Sequence, residues 1–360
     1  MNHSKRKILL FPLSAIYSLV TLIRNWLFDT GILRSTEFDF PVISVGNITV
    51  GGTGKTPHVE YLLKLLKGTW KTAMLSRGYK RKTSGFVVAD ENSDSTKIGD
   101  EPYQIYCKNK DIVIAVDEDR VAGIKKIKKN NPDIELIVLD DAFQHRKVKP
   151  GYSILLTDYY NLYYNDTHLP GGNLRENKCG RKRADIIIVT KCPENISPID
   201  LRVIEKEINV LPYQSLFFSS YKYGDLTPVF ENETNSNPRT QPTTILAVTG
   251  IANPQPMIEF LSGSLEKVEK MTFPDHYSFQ KKDLKNIAAR FEKIDDPEKI
   301  IVVTEKDAAR LISIKDFPED LKKYIYKLPI QVNILNGQEN EFKSKILSYV
   351  AENTRNSRIS

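Results

Sequence analysis

An α/β fold is predicted, with a largely parallel sheet layered between helices and a smaller α/β unit after it. Three observations predict it. Continuous apolar, β-branched runs recur at 42–45, 72–75, 85–88, 112–116, 134–139, 153–157, 186–190 and 216–219. Such runs suit strands buried on both faces, and the Lys-rich amphipathic pieces between them, 118–130 among them, suit crossover helices. Composition then turns to Asn, Thr and Pro over 227–242, which reads as an exposed linker. Beyond it the alternation resumes, with strands at 245–249, 268–272 and 300–304 and helices at 254–261 and 281–293. The expected organisation is an N-terminal helix over 1–30, a main unit over 31–226, a hinge over 227–242 and a smaller unit over 243–350.

The N-terminal element begins with Lys5-Arg6-Lys7, followed by an apolar run from Ile8 to Ile23 and then Trp26-Leu27-Phe28. No small-x-small cleavage site follows, so a signal peptide does not fit. The run is shorter than the roughly 20 residues a bilayer span needs. A helix lying at a membrane surface, basic residues at the headgroups and Trp26 at the interface, is the expectation. A helix packed in the core is the competing reading.

The main unit opens on Thr49-Val50-Gly51-Gly52-Thr53-Gly54-Lys55-Thr56, directly after the first strand. Strand, glycine-rich turn, then Lys-Thr opening a helix is the pattern of a P-loop NTPase-type layered domain. Backbone N–H groups of such a turn face phosphate oxygens, and glycine lets the chain approach without a Cβ in the way. Lys55 is placed to reach the terminal phosphates and the Thr56 hydroxyl to hold Mg²⁺. The usual motif opens with glycine, where this chain has Thr49. Pro57 suits the first helical turn, where its missing N–H costs nothing.

The run 134–139 ends in Asp140-Asp141, the place from which a carboxylate in such domains holds Mg²⁺ opposite the loop threonine. Phe143-Gln144-His145-Arg146 follows at the same end of the sheet, where ligands of open α/β sheets bind. Asp100, in Gly99-Asp100-Glu101-Pro102, and His276, in Phe273-Pro274-Asp275-His276, read equally as a helix N-cap and a loop histidine. Basic residues follow turn signals at Arg77, Arg120 and Arg175. Val189-Thr190-Lys191-Cys192-Pro193 sits where GTPases carry a guanine-reading Lys-x-Asp, but position 193 is proline, so guanine specificity is unsupported. The net charge of +7 suits an anionic partner, be it nucleic acid, membrane or phosphorylated substrate. Three cysteines without a Cys-x-x-Cys pair suit ordinary thiols in a reducing compartment.

Taken in order, Ser44 to Pro57, Ser76-Arg77-Gly78-Tyr79, Gly99 to Pro102, Asp117-Glu118-Asp119-Arg120, Leu139 to His145, Leu169-Pro170-Gly171-Gly172-Asn173-Leu174-Arg175-Glu176 and Phe273 to His276 closely resemble the tetraacyldisaccharide 4′-kinase family. These are the lipid A 4′-kinases of Gram-negative bacteria. The resemblance covers most of the chain, and Thr49 in the first loop position is the family's own habit. It implies ATP- and Mg²⁺-dependent transfer of the γ-phosphoryl group to the 4′-hydroxyl of a tetraacylated glucosamine disaccharide 1-phosphate, forming lipid IVA. It implies an enzyme resting on the cytoplasmic face of the inner membrane, with no nucleic-acid partner. Carried over residue by residue, Thr49, Val50, Gly51, Gly52, Thr53, Gly54, Lys55 and Thr56 bind ATP. Asp140, Asp141 and Gln144 organise Mg²⁺ and the reacting groups, and Arg120 and Arg175 lie near phosphate. Asp100 is the implied acceptor of the sugar hydroxyl proton, with His276 as its partner from the second unit. Ala142 stands where the family often has glycine.

Overall fold

The computed structural model describes residues 3–230, 242–264, 267–275, 277–314 and 317–359. Among the described residues, fourteen strands form two sheets. In chain order they are Val42–Gly46 (β1), Thr72–Ser76 (β2), Val87–Val88 (β3), Val113–Val116 (β4), Leu136–Asp140 (β5), Tyr152–Asp158 (β6) and Ile186–Thr190 (β7). Ser215–Tyr223 (β8), Thr227–Pro228 (β9), Thr244–Thr249 (β10), Lys267–Thr272 (β11), Ile300–Thr304 (β12), Ile325–Leu328 (β13) and Ile330–Ile334 (β14) follow.

The large sheet has the order β14-β8-β7-β6-β1-β5-β2-β4-β3. Every pair from β8 to β4 is parallel, and only the edge strands β14 and β3 run antiparallel. Strands β1, β2, β5 and β7 are buried along their whole length. Their unbroken apolar sequences are what burial on both faces requires. Because these strands are parallel, the segments after β1, β2, β4, β5, β6 and β7 all leave from one edge. This collects Thr49–Thr56, Arg77, Arg120, Asp140-Asp141, Asp158 and Lys191 at the ligand-binding side of an open sheet.

The second sheet, β11-β10-β12-β13-β9, is parallel except for β9. It does not take the whole of the expected 243–350. Strand β14 pairs with β8, and Phe342, Ile346 and Val350 of the last helix pack in the large sheet's core. Phe342 lies edge-on to Phe217 of β8, with ring centroids 5.2 Å apart. The chain therefore crosses to the second sheet and comes back. Residues 231–241 of the expected hinge lie outside the described residues.

The N-terminal helix runs from His3 to Asp29, beyond the apolar run seen in sequence. Its stretch Leu10–Asp29 is long and apolar enough, by length and composition, to cross a bilayer. Ser14, Tyr17, Ser18, Arg24 and Asn25 recur at helical spacing on one face. That polar face turns inward. Gly171 N–H donates to Ser14 Oγ at 2.9 Å, Tyr17 Oη to the Arg175 carbonyl at 2.9 Å, and Asn25 Nδ2 to Glu176 Oε2 at 2.9 Å. The apolar residues face outward, with Phe11, Ile16 and Trp26 69%, 60% and 58% exposed.

Candidate active site

The turn between β1 and the helix Lys55–Leu66 places Gly51 and Gly54 at φ 103° and 81°. Position 54 admits no side chain, since a Cβ there would lie 2.0 Å from Tyr221 Oη. The left-handed backbone at this residue adds strain for anything but glycine. Asn47 Nδ2 donates to Thr53 Oγ at 2.8 Å, and Val50 N–H donates to the Asn173 carbonyl at 2.8 Å. Lys55 and Thr56 open the helix, both half-buried.

The two carboxylates after β5 diverge. Asp141 adopts φ 47°, an uncommon conformation for a non-glycine residue, and turns the chain sharply. Asp140 is buried, and its Oδ2 accepts from Ser76 Oγ at 2.9 Å. Its Oδ1 is buried without a hydrogen-bond partner. Burial, then the neighbouring Asp141 charge, push the Asp140 carboxyl up to about 6. Asp141 points instead to two cations, with Lys55 Nζ at 3.7 Å and Arg175 Nη1 at 3.2 Å. Burial alone would raise the Asp141 carboxyl, but Lys55, Arg175 and Arg120 outweigh it and hold it below the usual range. The pair thus divides into one charged carboxylate and one with affinity for a proton or a cation.

Arg120 opens the helix Arg120–Asn130, which Asp119 caps through Val121 and Ala122 N–H at 3.0 and 3.2 Å. Its buried guanidinium donates through Nη1 to the Asp117 and Glu118 carbonyls, both at 3.3 Å, while Nε has no partner. Burial lowers the Arg120 guanidinium from its ordinary value, against the pull of Asp140 and Asp141. Gln144 donates through Nε2 to the Asn47 carbonyl and, at 3.5 Å, to Glu176 Oε1. It supports the approach to the loop from its flank.

Asp100 is the first residue of the helix Asp100–Lys108, with Gly99 at the cap position. Its Oδ2 accepts from Arg310 Nε at 2.9 Å. Arg310 lies on the helix Glu305–Ile312 beside the second sheet and is buried. Its Nη1 donates to the Gly250 carbonyl at 2.9 Å and to Asp307 Oδ1 at 2.8 Å. The same two helices are joined by Lys306–Glu101 at 2.8 Å and Lys108–Glu305 at 2.5 Å. His276 lies outside the described residues. Tyr277 packs beside Gly250, where a built Cβ would be 3.5 Å from Tyr277 Cβ.

Lys55, Asp140, Asp141, Arg120 and Arg175 therefore form one electrostatically connected group at the glycine loop. Asp100 stands at the seam between the two sheets. Arg310 and Glu176 have no role in the sequence reading. Glu176 is buried and accepts from Asn25 and Arg183, the latter at 2.8 Å. Its place in Asn173-Leu174-Arg175-Glu176 was visible, but not its partners.

A family model described as tetraacyldisaccharide-1-P 4′-kinase matches residues 6–351. A tetraacyldisaccharide 4′-kinase of Bacteroides thetaiotaomicron is 50% identical over 361 residues, covering 98% of this chain and 95% of its own. One from Flavobacterium johnsoniae is 46% identical over 348 residues, covering 97% and 98%. Among solved structures, the "apo" form of LpxK from Aquifex aeolicus in complex with ATP aligns with a TM-score of 0.73. It is 27% identical and covers 97% of this chain and 100% of that one.

Proposed function

Because the chain belongs to the tetraacyldisaccharide-1-phosphate 4′-kinase family and is an ATP-dependent kinase of lipid A assembly, we propose that it carries out phosphoryl transfer at the edge of the large sheet with the residues described above. The acceptor is the 4′-hydroxyl of a tetraacylated glucosamine disaccharide 1-phosphate. The observation that carries this reading is the group beside the glycine loop: Lys55 and Arg175 on Asp141, with the unpartnered Asp140 Oδ1 next to them.

Residues 49–56 take the triphosphate, with Lys55 on its terminal oxygens. Asp140, Asp141 and Thr56 would hold Mg²⁺. The orphaned Asp140 oxygen fits that role, since a hard cation completes its shell with carboxylate, phosphate and water oxygens. When bound, Mg²⁺ neutralises charge on the phosphate oxygens. Arg120 and Arg175 add fixed positive charge where negative charge accumulates, so the transferring group needs little reorganisation around it.

Asp100 accepts the proton of the sugar hydroxyl, and His276 orients it or relays that proton. The Asp100–Arg310 contact supports this reading, because it ties the helix bearing Asp100 to the second sheet. Phe273, directly after the edge strand β11 of that same sheet, donates its N–H to the Thr249 carbonyl at 2.7 Å. The substrate's acyl chains stay in a bilayer, so the enzyme must work at its surface. The outward apolar face of the N-terminal helix and its Trp26 suit the inner membrane's cytoplasmic face.

The test is direct. Purified protein, labelled ATP, Mg²⁺ and a tetraacyl disaccharide 1-phosphate in detergent should yield labelled lipid. ATP hydrolysis without lipid labelling would make the protein a nucleotide switch rather than a lipid kinase.

A further inference from the structure

Thr190-Lys191 occupies the sequence position of a base-reading element, yet its side chains are engaged elsewhere. Lys191 has φ 58°, and its Nζ donates to the Gly52 carbonyl of the glycine loop. The same Nζ is held by Asp158 Oδ2 at 2.5 Å. Thr190 is fully buried, and its hydroxyl donates to the Thr53 carbonyl at 2.9 Å, with the Thr157 carbonyl at 3.2 Å. One residue further along the loop, the Gly54 carbonyl accepts from His58 Nδ1 at 2.7 Å. The carbonyl partner requires the proton on Nδ1, so Nε2 accepts from Ser219 Oγ at 3.0 Å. Burial pushes the His58 imidazole down to about 4, which keeps it neutral.

Three successive loop carbonyls are thus tied by side-chain donors. In a trans peptide the N–H of the next residue points opposite to the carbonyl. Fixing the Thr53 and Gly54 carbonyls therefore turns the Gly54 and Lys55 N–H groups to the other side of the loop. Thr53 N–H closes on the Gly51 carbonyl at 3.1 Å, at the turn whose apex Lys191 anchors.

We propose that Thr190 and Lys191 are positioning residues for phosphate binding, which brace the glycine loop from behind and do not read the base. Asp158 holds the Lys191 ammonium in place. The proposal rests on the reading of 49–56 as the phosphate loop, and deepens it by naming what keeps that loop in shape without ligand.

The experiment compares the full-length enzyme with Thr190→Val, Lys191→Met and Lys191→Arg. Three quantities are read: KM for ATP, the ratio of ATP to GTP use, and the inhibition constant of inorganic tripolyphosphate against ATP. Tripolyphosphate carries the phosphates without a base. Thr190→Val and Lys191→Met should each weaken both ATP and tripolyphosphate by about tenfold, as expected for the loss of one preorganising hydrogen bond. The ATP-to-GTP ratio should stay at the wild-type value, and Lys191→Arg should recover most of the loss. Unchanged constants in Thr190→Val, whose shape is kept, would overturn the proposal even if Lys191→Met fails to fold. A loss for ATP with tripolyphosphate unaffected would also overturn it, since that is the signature of base reading. Wild-type enzyme indifferent to tripolyphosphate would instead refute the phosphate-loop reading itself.

Discussion

Replacing Asp140 by asparagine should abolish turnover and yet stabilise the ligand-free protein. The Asp140 carboxyl is pushed from its ordinary 3.8 up to about 6, first by burial and then by the Asp141 charge. Each pH unit of that gap is worth about 1.36 kcal/mol, so the charged form strains the empty fold by roughly 3 kcal/mol. The sign follows from proton binding. Between about 4 and 6 the native state holds a proton on Asp140 that the unfolded chain has lost, so this group's contribution falls as pH rises through that window. It is fully present below the unfolded value and gone above the folded one. Asparagine keeps an oxygen for Ser76 Oγ and never ionises, so the variant should be about 1–3 kcal/mol more stable at pH 7, after allowing for an amide N–H without a partner. Urea unfolding of both proteins at a series of pH values, without Mg²⁺ or nucleotide, measures this. The wild type should lose stability relative to the variant across pH 4–6. Addition of Mg²⁺ and ATP should then favour the wild type, because ligand that binds only the native state stabilises it. A variant that is no more stable at pH 7, with parallel pH curves, would refute the assignment of Asp140 as a strained carboxylate awaiting a cation.

Lys55→Ala should lower turnover by orders of magnitude while the fold survives, its ion pair with Asp141 being a long one at 3.7 Å; near-normal turnover would remove Lys55 from the site. Asp100→Ala, His276→Ala and the double variant should each lose a similar factor, about 10²–10⁴ in kcat, with ATP affinity little changed; losses that multiply would mean independent roles. Deleting residues 1–27 should leave a folded protein that still binds ATP but no longer sediments with anionic phospholipid vesicles, whereas the full chain does. Loss of cooperative unfolding after the deletion would show that the helix is part of the core.

The glycine turn and the carboxylate pair were legible because their signals are local. A strand, a glycine turn and Lys-Thr fall within the fifteen positions 42–56, and Asp140-Asp141 ends an apolar run, so propensity and pattern point the same way. The partner of Asp100 was not legible. Arg310 is 210 residues away in sequence, on a helix whose spacing gives no hint of which sheet edge it will face. The return of β14 was hidden for a related reason: Ile330–Ile334 falls inside the span 243–350 expected for the smaller unit, and only pairing with β8 assigns it to the large sheet. For the N-terminal helix, the sequence showed a basic start and an apolar run. It could not show which side docks, because Ser14, Tyr17 and Asn25 are held by Gly171, Arg175 and Glu176, more than a hundred residues downstream.

That inward-facing polar stripe makes the helix a handle on the loop rather than a loose tether. Asn25 holds Glu176, Gln144 bonds both Glu176 and the Asn47 carbonyl, and Asn47 holds Thr53. The hydrogen-bonded line from the first helix to the glycine turn is unbroken. A tether with a flexible stem would let the catalytic body swing at any height above whatever the apolar face grips. If the apolar face rests on a bilayer as proposed, the tilt and depth of the helix set the altitude of the glycine turn above it.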